Sequence, residues 1–264
     1  MSLIDTHCHL NFQSFSEDLD QVMARAADAG VRRVINPGID VATSHEALGL
    51  ATQYPGIYAA VGVHPNSTAE FGDGMLDTIE ALASQPKVVA IGEIGLDYYW
   101  DKSPKDKQIE AFKAQLAMAA RMGLPVIIHN REASDDVIAI LEMWARDLPS
   151  ALQERPGVLH SFSAPRTVAE RALAIGFFLG FNGPITYKNA DELRRIATTV
   201  PLERVLVETD GPFLTPTPHP RKHRNEPAYI PLIVDRLAAL RQLGNEEITS
   251  ATTANAMRLF QLPQ

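Results

Sequence analysis

Two histidines separated by a single residue, in the string Asp5-Thr6-His7-Cys8-His9, are the first side chains of this sequence with obvious chemical potential. Side chains of an extended strand alternate between faces with period two, so His7 and His9 point the same way. Two imidazoles side by side form a clamp for a divalent metal ion, although such a pair can also do no more than satisfy backbone carbonyls. Four further residues give the pair its meaning. Glu93, His129, His160 and Asp210 each fall at or just past the carboxyl end of a short apolar run. Taken singly, the histidines could be packed side chains, and Glu93 or Asp210 could be a helix cap. Together, four imidazoles and two carboxylates offer the mixed nitrogen and oxygen donors that suit two divalent ions, with Glu93 the natural bridging carboxylate. His64, in Gly62-Val63-His64-Pro65, belongs to the same set of strand ends but is separable from the ligands.

These residues work together only if the elements beneath them converge. Eight short runs read as strands: Leu3-Ile4, Val31 to Asn36, Ile57 to Val63, Val88 to Ile91, Pro125 to Ile128, Gly157 to Leu159, Phe177 to Phe181 and Arg204 to Val207. Each precedes a stretch of helical period, and Gly, Pro, Asn or Asp marks nearly every junction. Strands separated by helices pair in parallel, because a parallel crossover needs about a dozen residues or more. The predicted fold class is therefore α/β: a single (β/α)8 TIM barrel spanning residues 1–264, closed by an additional C-terminal helix from Glu246 to Phe260, with a doubly wound open sheet as the alternative. In a barrel the carboxyl ends of all strands meet at one mouth, where active sites of this architecture lie.

The helices at Asp40 to Gln53, Pro165 to Ala174 and Pro227 to Gln242 follow from caps and apolar faces. So does one starting near Ser103-Pro104, with Ser103 as cap, an apolar face of Ile109, Phe112, Leu116, Ala119 and Ala120, and Gly123 as its stop. The proline-rich stretch from Gly211 to Glu226 can hold neither a helix nor a central strand; irregular loops of that length are usually functional or disordered, and its position after a strand favours functional.

Composition narrows the classes further. The 264 residues are 45% hydrophobic and 21% charged, which excludes disorder, collagen and coiled coil. The 24 Lys+Arg against 32 Asp+Glu leave a formal charge of -8, so no broad basic surface for duplex nucleic acid is expected. The one cysteine, Cys8, can form no intrachain disulfide, no basic-then-apolar leader precedes Asp5, and no apolar run reaches the roughly 18–20 residues of a membrane span. A cytoplasmic protein without a membrane or an obligate protein partner is expected.

Seven ordered strings then carry a family likeness: Asp5-Thr-His-Cys-His-Leu10, Gly62-Val-His-Pro65, Gly92-Glu-Ile-Gly-Leu-Asp-Tyr98, His129-Asn-Arg131, His160-Ser-Phe-Ser163, Glu208-Thr-Asp-Gly-Pro212 and Arg224-Asn-Glu-Pro227. With Asn255-Ala-Met-Arg-Leu-Phe260 near the end, they resemble the TatD family of metal-dependent deoxyribonucleases in the amidohydrolase superfamily. The resemblance implies hydrolysis of phosphodiester bonds in DNA from the 3′ end of single strands, with magnesium or another divalent ion. By motif, it implies His7, His9, Glu93 and Asp210 as ligands of one metal and Glu93, His129 and His160 of a second. Gly211 stands where the family commonly has Ala, Asn130 where Ser or Cys is frequent, and Asn11 where Asp is frequent; none of these removes a ligand.

A mechanism is expected in which a metal-activated water attacks phosphorus in line and Asp210 accepts or orients its proton. His64 would stabilise the phosphate or leaving group, unless it is merely packed beside Pro65. Arg131 and Arg224 are expected on substrate phosphates, and Arg221 and Lys222 less so; solvated loop cations are the ordinary alternative. Tyr98, Tyr99 and Trp100 could stack on bases or form a packed rim, and Asp97 could orient a ligating histidine or cap the following turn. A barrel hydrolase acting on a lactone, amide or phosphotriester is the competing enzyme, and a non-catalytic nucleic-acid binder that keeps its metal for stability is the competing class.

Overall fold

The computed structural model describes residues 2–263. Eight strands pair in parallel and in sequence order: β1 (Leu3–Asp5), β2 (Val31–Pro37), β3 (Ile57–Val61), β4 (Val88–Asp97), β5 (Val126–Arg131), β6 (Gly157–Leu159), β7 (Phe178–Phe181) and β8 (Val205–Val207). Helices cross back between successive strands, as expected for a (β/α)8 barrel. The seam between β8 and β1 is shut just beyond the strands. Thr6 N donates to Val207 O (3.2 Å), Asp210 N to His7 O (2.8 Å) and His9 N to Gly211 O (2.8 Å), with an isolated parallel bridge between Cys8 and Gly211.

Two apolar layers hold this frame. The larger lies between sheet and helices, where Val34, Ala59, Ile91 and Val205 meet helix residues such as Ala47, Phe112, Leu141 and Leu237. The smaller fills the barrel: Ile4, Ile35, Tyr58, Val89, Ile127, Val158, Phe178 and Leu206 pack with Ala256, Leu259 and Phe260 of the helix Asn245–Phe260. That last helix therefore plugs the amino-terminal end of the barrel and leaves the other end open for chemistry. Arg155 fastens the plug by donating to Leu259 O (3.2 Å), and Asn255 donates to Leu202 O and Val205 O (2.8 Å each).

Local signals explain most element boundaries. The helix Val41–Gln53 starts in a capping box, in which Asp40 accepts from Thr43 N and Thr43 Oγ1 accepts from Asp40 N. The helix Lys105–Met122 stops at Gly123, whose φ of 68° is left-handed. Its expected cap is corrected, because Pro104 holds the N-cap position while Ser103 Oγ accepts from Thr68 N (3.2 Å) and pins a neighbouring loop.

Several strand boundaries also differ from expectation, most of all the ends of β4 and β5. Strand β4 runs ten residues, so Glu93 lies within it, and β5 likewise contains His129. The register of β4 on β5 shifts between Ile91 and Ile94, a bulge that breaks the alternation where Glu93 leaves the ladder. Bulges re-aim side chains in this way at the rims of barrels.

Candidate metal centre

Six of the expected residues meet at the open end. His7 and His9 follow β1, and their Nε2 atoms lie 3.2 Å apart. Glu93 Oε2 is 3.4 Å from His7 Nε2 and 3.5 Å from His9 Nε2; Asp210 Oδ1 is 3.8 and 3.7 Å from the same two nitrogens. Four donors bound to one ion at about 2.0–2.2 Å stand roughly 3.3–3.6 Å apart at tetrahedral angles. These five separations bracket that range, and His7, His9 and Glu93 lie close enough together to hold one metal ion, with Asp210 beside the two imidazoles.

The other carboxylate oxygen serves a different group. Glu93 Oε1 lies 2.7 Å from His129 Nδ1 and 2.8 Å from His160 Nε2, while those two nitrogens are 3.5 Å apart. These contacts are hydrogen-bonded, and they must open by several tenths of an ångström to admit an ion. Glu93 thus divides its two oxygens between two donor clusters.

Neighbouring groups set the tautomers. His9 Nδ1 faces Pro37 O at 3.3 Å, so it carries the proton and Nε2 keeps its lone pair for the site. Asp97 Oδ2 lies 3.1 Å from His129 Nε2, which leaves His129 Nδ1 turned toward Glu93. Asp97 Oδ1 also accepts from Tyr99 N (3.0 Å) and Trp100 N (3.1 Å), so it both orients the histidine and caps the turn after β4. His64 Nδ1 accepts from Asn66 N (3.1 Å), which puts its proton on Nε2, 3.5 Å from Glu93 Oε1. With that tautomer His64 is a donor rather than a ligand.

Burial and charge shape the protonation. Burial lowers His7 well below the ordinary histidine value, lowers His9 to about 4, and also lowers His64, so all three are neutral at pH 7. Burial alone would raise Glu93, but His160, His64 and the bond from His129 hold it well below the usual carboxylate range. Against burial, Glu93 pulls His160 up to about 9, and Asp97 with Glu93 raises His129. Burial pushes Asp210 up to about 7.

Two buried carboxyls were not singled out from the sequence. Asp5 accepts from His7 N, Thr209 N and Thr209 Oγ1, and Glu208 accepts from Ser161 N with Oε1 3.8 Å from His160 Nδ1. Burial raises them to about 7 and 8. Their signal was their placement two residues ahead of His7 and Asp210, on the same alternating face of an extended chain. Among the described residues, none of Asp5, Glu93, Glu208 and Asp210 pairs with a lysine or arginine.

A cleft of about 810 Å³ surrounds the donors, lined also by Phe12, Asn66, Trp100, Lys102, Arg131, Asn182 and Phe213. Arg131 is there, its guanidinium 3.9 Å over the Tyr99 ring. Arg224 is not. Its guanidinium grips Asp18 through two bonds (2.7 and 2.8 Å) and Ser14 O (2.6 Å), so its charge is met inside the protein and the expected phosphate contact gives way to a structural one. Arg221 stacks on Tyr187, 4.3 Å from the ring centre, away from the cleft lining. Gly211 packs tightly, since a β-carbon there would come within 2.8 Å of Cys8 Sγ and 3.1 Å of Asn225 O.

A parallel barrel whose open end gathers buried histidines around a shared carboxylate defines a metal-dependent hydrolase. The comparisons narrow this class. Residues 4–261 match the family model described as TatD related DNase, and the chain belongs to that family. It is 42% identical over 260 residues to a protein of Bacillus subtilis named uncharacterized metal-dependent hydrolase YabD, covering 98% of this chain and 99% of that one. It is 37% identical over 264 residues to the 3′-5′ ssDNA/RNA exonuclease TatD of Salmonella typhimurium, with 98% and 99% covered. Among solved structures, the TatD homolog YjjV of Escherichia coli superposes with a TM-score of 0.91 at 35% identity, covering 99% of this chain and 98% of the other. Among the described residues, no helix is long and apolar enough to cross a membrane.

Proposed function

We propose that this enzyme hydrolyses phosphodiester bonds of single-stranded DNA from the 3′ end, using two divalent ions. His7, His9, Glu93 and Asp210 would hold one ion, and Glu93, His129 and His160 the other. The observation that carries this reading is the division of Glu93 between two donor clusters, Oε2 toward His7 and His9, which Asp210 also approaches, and Oε1 toward His129 and His160.

When bound, such ions lower the pKa of water toward about 7 and neutralise the phosphate. The chain's own groups do the rest. Asp210, whose Oδ1 lies 3.8 and 3.7 Å from His7 and His9 Nε2 at the cleft, would take the proton of the attacking water. His64 presents a neutral Nε2–H to the cleft, suited to the departing oxygen. Lys102 and Arg131 supply the cleft's positive charge for flanking phosphates.

The deciding experiment is cleavage of an end-labelled single-stranded oligonucleotide by metal-stripped protein reloaded with magnesium, manganese or zinc, beside Glu93→Ala. A ladder shortening from the 3′ end and absent in the variant is expected. An intact oligonucleotide with metals bound refutes the reading and directs the search to lactones and phosphotriesters.

A further inference from the structure

The rim of the cleft is chemically divided. Among the described lining residues, the only lysine or arginine side chains are Lys102 and Arg131, which follow β4 and end β5. Their aromatic neighbours are Tyr99 and Trp100, with Arg131 3.9 and 5.6 Å from the two ring centres and Lys102 Nζ 5.8 Å from that of Trp100. Across the cleft, after β8 and β1, stand Phe213 and Phe12, with Leu214 and Ile39 beside them. Phe12 stacks on His9 at 4.5 Å, and the Phe12 and Phe213 rings lie 6.1 Å apart at 77°, forming an aromatic corner beside the metal donors.

Single exposed apolar side chains are normal on a protein surface, but contiguous ones mark binding sites. Of the four exposed large hydrophobic residues among the described residues, Trp100 and Phe213 line this one cleft, at 47 and 51% exposure, and Tyr99 packs beside Trp100 under Arg131. The division matches the asymmetry of a strand end. Every upstream nucleotide brings a phosphate that needs a cation, whereas the last nucleoside brings a base and no phosphate beyond the scissile one.

We infer that the Phe12–Phe213 corner receives the base of the 3′-terminal nucleotide, while Tyr99, Trp100, Lys102 and Arg131 hold the nucleotides upstream of it. The inference rests on the phosphodiesterase reading and specifies the bond broken. Water oxygen bonds to phosphorus as its proton passes to Asp210. The bond from phosphorus to the upstream 3′ oxygen breaks, and that oxygen accepts a hydrogen bond from His64 Nε2–H while it takes a proton from solvent. Asp210 returns its proton to solvent, and the terminal unit leaves as a nucleoside 5′-monophosphate.

The test uses 5′-labelled oligonucleotides, identical except that the 3′-terminal residue carries a base or is abasic, with metal-loaded wild type, Phe213→Ala and Arg131→Ala. Base stacking on an aromatic side chain predicts that wild type disfavours the abasic end by roughly 5- to 100-fold in KM. Phe213→Ala should erase most of that difference with unchanged metal content. Arg131→Ala should keep it, and instead lose the gain in KM that comes from lengthening the strand from about two to about six nucleotides. Equal cleavage of both ends by wild type, or full discrimination retained in Phe213→Ala, overturns the corner and leaves the phosphodiesterase reading standing. Wild type that hydrolyses bis(p-nitrophenyl) phosphate but neither oligonucleotide overturns the nucleic-acid reading itself, and the inference with it.

Discussion

Asp97 Oδ2 lies 3.1 Å from His129 Nε2 on the far side of the ring from Glu93, whose Oε1 is 2.7 Å from His129 Nδ1. The imidazole is thus fixed at both ends. Removing an oriented partner of a ligating histidine typically lowers metal affinity by about 10- to 100-fold. Asp97→Ala should weaken one of two ions by that factor and spare the other, as read by metal titration. Equal weakening of both, or of neither, contradicts the assignment of His129 to a separate ion.

Glu93 is the one residue with an oxygen in each donor cluster. Glu93→Ala should therefore reduce the metal content from two ions to one or none and abolish activity. Elemental analysis of the purified variant tests this, and full occupancy with normal turnover would sink the bridging role.

His64 touches the site through a protonated Nε2 and is not needed as a ligand. His64→Ala should keep its metals and lose about 10²- to 10⁴-fold in turnover. Loss of metal instead of rate would make it a ligand after all.

In metal-stripped protein, Glu93 holds a proton on His160 up to about pH 9, and burial holds one on Glu208 up to about pH 8. The unfolded chain releases these protons through about pH 6.5 and 4.5 respectively. Both folded values are raised, so the stability they contribute is present below the unfolded values and is lost as pH rises through the folded ones. From pH 7 to 9 the stripped protein should lose stability, each retained proton being worth up to about 1.4 kcal/mol per pH unit. Reloading with metal, which displaces the proton on His160, should flatten the slope and release protons measurable by calorimetry in two buffers. A stripped protein equally stable at pH 7 and 9 would count against this ionisation scheme.

Arg224 is committed to Asp18, and Arg25 to Glu226 through two bonds of 2.7 Å. Arg224→Ala should cost about 1 kcal/mol in stability and leave KM for an oligonucleotide within about twofold. A large rise in KM at unchanged stability would return Arg224 to the substrate.

Much of the site was legible because a parallel barrel turns a one-dimensional pattern into a shared rim. His7, His160 and Asp210 each follow a strand whose apolar run is plain in the sequence, so their convergence followed from topology. Glu93 was placed at the right mouth but outside its strand, since Gly92, Gly95 and the bulge interrupt the period that marks β4. The pairing of Arg224 was hidden for a different reason. Its partner Asp18 lies 206 positions away, and no local pattern connects a proline-rich loop to the first helix. Asp5 and Glu208 escaped notice because a carboxylate beside a ligand motif reads as a turn residue until its burial is seen.

The seam between β8 and β1 bears on how the protein is made. Cys8 and Gly211 bridge it across 203 positions, and the donors around Glu93 Oε2 come from both of its banks. His7 and His9 are synthesised ahead of Asp210, which arrives only after most of the barrel has been translated. At about 5–20 residues per second, the amino-terminal histidines wait on the order of ten to forty seconds for their last partner. A nascent or truncated chain can offer an ion two imidazoles and one carboxylate but never the full quartet. The complete donor set therefore exists only in chains translated past Asp210.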